Sequence, residues 1–127
     1  MPEHLRLGER GEKLASRFLR RRGYKILYRN FKARGGGEID LVCRDGDSLV
    51  FVEVKTRRDA DFGPPIDAIG KQKQQSISRG GLAWLRLLDN PDVVFRFDVV
   101  EVLLPDDGEA HCELIQDAFE LSQPYIY

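Results

Sequence analysis

The stretch FVEVK at 51–55 sets a carboxylate and an ammonium two residues apart in an apolar run. In an extended chain, side chains two residues apart share a face, so Glu53 and Lys55 project on the side of Phe51. A second acid, Asp40, lies upstream in GEIDLV, and the turn Arg44-Asp-Gly-Asp47 separates the two apolar runs. Asp-Gly between such runs is a strong hairpin signal. A two-residue Asp45-Gly46 loop sets Asp40 opposite Phe51, with Glu53 as its diagonal neighbour. Diagonal neighbours stand roughly 7–8 Å apart at Cα, near enough for side chains to converge. Asp40, Glu53 and Lys55 are therefore expected on one sheet face, and Ile39, Leu41, Val50, Val52 and Val54 on the other.

Ionisable groups on an otherwise apolar face are costly unless something compensates them. One compensation is a salt-bridged cluster in which Lys55 neutralises a carboxylate. The other is a hard divalent cation shared by Asp40 and Glu53, with Lys55 beside it to orient or help deprotonate a water. The second arrangement is equipment for metal-assisted hydrolysis of a phosphodiester.

These residues need elements to position them. Leu7, Gly11, Leu14, Ala15 and Phe18 form a stripe at helical spacing, which predicts a helix over about 5–22 stopped by Gly23. Tyr24 to Tyr28 alternates as a short strand. After ARGGG (33–37), strands are expected at about 38–43 and 48–56. A loop with Gly63-Pro64-Pro65 precedes a second helix, about 66–88, with Ile66, Ile69, Ile77, Gly81, Trp84 and Leu88 on one face. Asn90-Pro91 ends it. Val93 to Leu104 reads as a strand, Pro105 to Gly108 as a turn and His111 to Ile115 as a last strand. This α-β-β-β-α-β-β order predicts an α/β three-layer sandwich around a central mixed sheet, within a single domain spanning 1–127. Trp84 reads as core. Asp98, inside FRFDVV, reads as a structural, hydrogen-bonded acid.

Charge is unevenly distributed along the chain. Residues 1–34 hold eleven Lys/Arg against three acids, whereas residues 89–127 hold Arg96 alone against ten. A basic half suits a phosphate-bearing partner, although a solvated helix face explains the charge equally well. The apolar runs are too short to cross a bilayer and no signal-like segment opens the chain, so a cytoplasmic protein with no membrane partner is expected. Cys43 and Cys112 read as reduced thiols, and no cysteine–histidine spacing suits zinc.

GEID (37–40) followed by FVEVK (51–55) resembles the bipartite signature of the PD-(D/E)XK nuclease superfamily, with Ile39 at the usual proline position. The likeness extends over GERGEKLASRFLRRRGYKILYRNFKARGGGEIDLV, the stretch KQ (73–74) and RFDVVEV (96–102). Together these resemble the YraN-like family of small bacterial proteins, whose nearest likeness in the superfamily is to archaeal Holliday-junction resolvases. The resemblance implies a restriction-endonuclease-like fold and a Mg²⁺ or Mn²⁺ cofactor. It implies that Asp40 and Glu53 bind the metal, with the Val54 carbonyl and Glu12 as further ligands. It also implies that Lys55 is the catalytic lysine and that Gln74 is a polar residue presented by the second helix.

The expected function is thus a metal-dependent endonuclease acting on DNA ahead of RNA, with branched DNA among its substrates. Arg10, Arg17, Arg20, Arg21, Arg22, Arg34 and Lys73 are the expected nucleic-acid contacts, and a homodimer is one expected assembly. Two rivals share the fold: a catalytically silent nucleic-acid-binding module, and a scaffold that binds partners through its acidic C-terminal region.

Overall fold

The structure is a computed structural model that describes residues 3–58 and 69–127. In chain order it places α1 (Glu3–Arg21), β1 (Lys25–Lys32), β2 (Glu38–Asp45), β3 (Ser48–Arg57), α2 (Lys71–Leu87), β4 (Phe95–Leu103) and β5 (His111–Phe119). This is the expected order. β1 runs past its expected end, and β5 reaches Phe119 rather than Ile115. The Gly63-Pro64-Pro65 loop and Ile66 lie outside the described residues. Leu88, expected on the apolar face of the second helix, lies beyond its end and is half exposed.

The five strands form one sheet in sequence order, β1-β2-β3-β4-β5. All neighbours are antiparallel except β3 and β4. A parallel pair needs a long crossover, and the connection containing α2 supplies it. The two helices cover opposite faces. Ala15 and Leu19 of α1 pack on Leu41, Cys43, Val50, Val52, Val100 and Val102. Ile77 and Leu85 of α2 pack on Val42, Leu49, Phe51, Phe97 and Val99. Strands covered on both sides must be apolar on both, which is why LVFV reads as a continuous run. Each large side chain so buried contributes on the order of 1.5–3 kcal/mol.

Two glycines set how closely the layers approach. A Cβ on Gly11 would lie 1.8 Å from the Thr56 Oγ1, so its absence lets α1 press against the C-terminal end of β3. Gly37, at φ +103, would bring a Cβ within 2.5 Å of the Gly80 backbone nitrogen. The ARGGG turn is therefore seated directly on α2. Trp84 is partly buried at the edge of the α2-side core, where it packs against Tyr28 and Phe31.

Asp98 is fully buried and hydrogen-bonded, as its place in the strand suggested. Its carboxylate accepts from the Tyr24 hydroxyl at 2.7 Å, the Arg96 Nε at 3.0 Å and the Asp117 backbone N–H at 2.9 Å. Arg96 also reaches Asp45 at 2.8 Å. One acid thus ties the start of β1, the hairpin turn, β4 and β5 together. Cys43 and Cys112 are free thiols, and burial pushes Cys43 up to about 12, far from reactivity. No helix among the described residues is long and apolar enough to cross a membrane.

Candidate active site

The site forms where the β2–β3 hairpin opens. Asp45 pairs with Ser48, so the loop is Gly46-Asp47 rather than Asp45-Gly46. Gly46 takes φ +59, the value that the first residue of a type II′ turn requires. The register is therefore displaced from the expected one, with Leu41 opposite Val52. The displacement is two residues, and an even slip keeps every side chain on its face. Asp40 consequently comes level with Glu53 rather than diagonal to it.

The recorded β2–β3 pairs end at Leu41–Val52, and there the Val54 N–H donates to Asp40 Oδ2 at 2.8 Å. A carboxylate thus takes the part of a ladder acceptor and holds Asp40 against β3. The strand also loses its alternation at this point. Leu41 belongs to the α1-side core and Ile39 to the α2-side core, which corrects the expectation that they share a face.

Glu53 is nearly buried, its side chain 7 % exposed, and its Oε2 lies 3.6 Å from the Lys73 ammonium. Lys73 also lies 3.7 Å from Glu38. Glu53 Oε1 is buried with no hydrogen-bond donor. Burial first, then the charge of Asp40 and a hydrogen bond with its carboxyl, push the Glu53 carboxyl up to about 9. Two carboxyls so placed resist ionising together, which favours a proton on Glu53 at neutral pH when no cation is bound. Glu12 is shifted upward too, by its own burial and then by Asp40, while a bond to Asn30 opposes this.

These shifts predict a pH dependence. A carboxyl raised from 4.5 to about 9 on folding binds a proton in the native state that the unfolded chain has released. Its contribution is fully present below pH 4.5 and is lost as pH rises through about 9. In EDTA, the wild-type melting temperature should fall from pH 6 to pH 9 more steeply than that of Glu53→Gln, which cannot titrate there. Parallel curves for the two proteins would refute the shared proton.

A cleft of about 570 Å³ opens over the pair, lined by Leu7 and Gly8 of α1, Asp40, Glu53 to Thr56, Ile69 and Lys73. Lys55 is therefore in the cleft with both acids. Among the described residues it forms no ion pair, so the cation beside Glu53 is Lys73 and not Lys55. Gln74 is not on the lining, and its side-chain amide donates to the Ile69 carbonyl at 3.0 Å. Glu12, near enough to Asp40 to feel its charge, is also off the lining. No group of three His, Cys, Asp or Glu residues surrounds a single cation position among the described residues. What is present is two hard oxygen ligands, one with an orphaned buried oxygen. That set fits Mg²⁺ or Mn²⁺, which accept one or two carboxylates and complete their shell with water.

Residues 11–102 match the sequence profile described as uncharacterised protein family UPF0102. The chain belongs to this family. A UPF0102 protein of Pelobacter propionicus is 49% identical over 123 residues, covering 95% of this chain and 87% of the relative. One from Geobacter sulfurreducens is 49% identical over 116 residues, 91% and 90% of the two chains. One from Symbiobacterium thermophilum is 47% identical over 114 residues, 90% and 96%.

The UPF0102 match includes Glu12, Asp40, Glu53, Lys55 and Lys73. Lys73 was expected only as a nucleic-acid contact. Its place in the site depends on how α2 crosses β3, which no local pattern encodes. The expected basic residues of this UPF0102 chain other than Lys73 (Arg10, Arg17, Arg20, Arg21, Arg22 and Arg34) are all exposed.

Proposed function

We propose that this UPF0102 chain is a metal-dependent endonuclease of the PD-(D/E)XK type that hydrolyses phosphodiester bonds in DNA, with branched DNA of the kind archaeal Holliday-junction resolvases cut as the first substrate to test. The observation that supports it most is Glu53 Oε1, buried without a hydrogen-bond partner beside Asp40, in an open cleft that also holds Lys55, which forms no ion pair among the described residues. The ion pairs at this site are made by Lys73, which leaves Lys55 to face the cleft.

A bound Mg²⁺ or Mn²⁺ would supply charge stabilisation and an acidified water. The chain's own residues do the rest. Asp40 and Glu53 would hold the cation, with the Val54 carbonyl as a further ligand and Glu12 acting on Asp40 through its charge. Lys55 orients the attacking water and takes part in its deprotonation. Lys73 would offset the remaining negative charge of the Asp40–Glu53 pair until the site is loaded. Exposed arginines on α1 attract the phosphate backbone.

The test is a cleavage assay over linear, flapped and four-way DNA with Mg²⁺ and Mn²⁺, run beside Glu53→Ala. Metal-dependent cleavage that Glu53→Ala abolishes is the expected result. No cleavage of any substrate by the wild type would leave the silent binding module as the better reading. That rival draws its support from Lys73, which already compensates Glu53.

A further inference from the structure

We propose that the cleft between the β1–β2 turn and the C-terminal half of α2 is a nucleic-acid-binding groove that holds a phosphate backbone against the same helix that carries Lys73. This rests on the nucleic-acid reading above and adds the surface that holds the strand.

The cleft measures about 410 Å³, and its lining includes Phe31, Lys32, Arg34, Ala83, Arg86 and Leu87, with no acid. Arg79 extends the same charge: a Cβ on Gly36 would lie 3.5 Å from its guanidinium, so the side chain lies along the turn. Arg79, Ala83 and Arg86 recur at i, i+4 and i+7, one stripe of α2. Among the described residues, none of Lys32, Arg34, Arg79 and Arg86 forms an ion pair. The nearest acid in the sheet, Glu38 opposite Lys32, is engaged with Lys73. A chain of net charge -1 has acids enough to neutralise these cations, and the lining of this cleft holds none.

A concave surface lined by one sign of charge focuses its field more than a convex helix does. That favours this cleft over Arg20 to Arg22, which sit at the end of α1, with Arg22 laid over the Phe18 ring. The groove and the candidate active site share α2 as a wall. Lys73, about a third of a turn around the helix from that stripe, lies 3.6 Å from Glu53. Lys73 and Arg86 lie roughly 20 Å apart along the helix axis. Over that length one strand of a duplex carries about six phosphates. Regularly spaced charge in a groove suits a polynucleotide better than a flat lipid surface.

The experiment measures binding of labelled duplex, single-stranded and four-way DNA by fluorescence anisotropy in EDTA, across a salt series. The quadruple variant Lys32→Gln, Arg34→Gln, Arg79→Gln, Arg86→Gln should bind at least tenfold more weakly than wild type. Its plot of log affinity against log salt should be shallower by about three to four. The triple variant Arg20→Gln, Arg21→Gln, Arg22→Gln should lose less. Ala83→Glu keeps every cation but adds an acid to the lining, and it should weaken binding as well. Wild-type affinity and slope in both cleft variants, or a larger loss in the arginine triple, would overturn the proposal. So would binding to phosphatidylserine vesicles without binding to any oligonucleotide. Because metal is absent, the result is separable from catalysis. Tight binding lost in the cleft variants supports the groove even if the wild type cleaves nothing.

Discussion

Lys55→Ala is expected to lose at least about a hundredfold in cleavage, the usual scale for removing a group that serves proton transfer, while metal and DNA binding stay close to wild type. Glu53→Ala should lose cleavage and metal binding together, because it removes a ligand. The two variants therefore separate water positioning from cation holding. Thermal melts complete the test. If Lys55 were the counter-charge of Glu53, its removal would strand a buried acid and cost about 3–5 kcal/mol. The ion pair to Glu53 comes from Lys73 at 3.6 Å, so Lys55→Ala should melt near the wild type. A strongly destabilised Lys55→Ala protein with wild-type cleavage per folded molecule would defeat the catalytic role.

Asp98→Ala should be the most destabilising single truncation outside the apolar core. It removes the acceptor of three groups at once: the Tyr24 hydroxyl, the Arg96 side chain and the Asp117 N–H. Arg96 keeps Asp45 at 2.8 Å, but the buried Tyr24 hydroxyl and the Asp117 N–H lose a charged acceptor. Breaking one side of such a buried network costs about 3–5 kcal/mol, and urea unfolding should show it as a lowered midpoint with little change in slope. Asp98→Asn, which keeps an acceptor oxygen, should cost less. A loss under about 1 kcal/mol for Asp98→Ala would mean that water replaces the carboxylate, contrary to its complete burial. Metal binding of the folded fraction should be unchanged, since Asp98 takes no part in the cleft.

Residue types and periodicity alone determined the order of elements, the hairpin's position and the convergence of Asp40, Glu53 and Lys55. Those features are local: a helical stripe, an apolar run and an Asp-Gly turn each act over a few residues. The same locality explains where the reading stopped. Asp-Gly marked the turn, but which pair forms its loop depends on where a positive φ is placed. Gly46 could take that φ as the first loop residue, and the register moved by two. The faces survived only because the slip was even. Ile39 changed sides because β2 parts from β3 at Asp40, where a side chain replaces a ladder acceptor. Lys73 beside Glu53, Tyr24 beneath Asp98, and Arg34 across from Arg86 were decided by tertiary structure alone. Each pairing sets residues from separate elements side by side through the way strands and helices pack, and packing is a property of the whole sheet rather than of any segment within it.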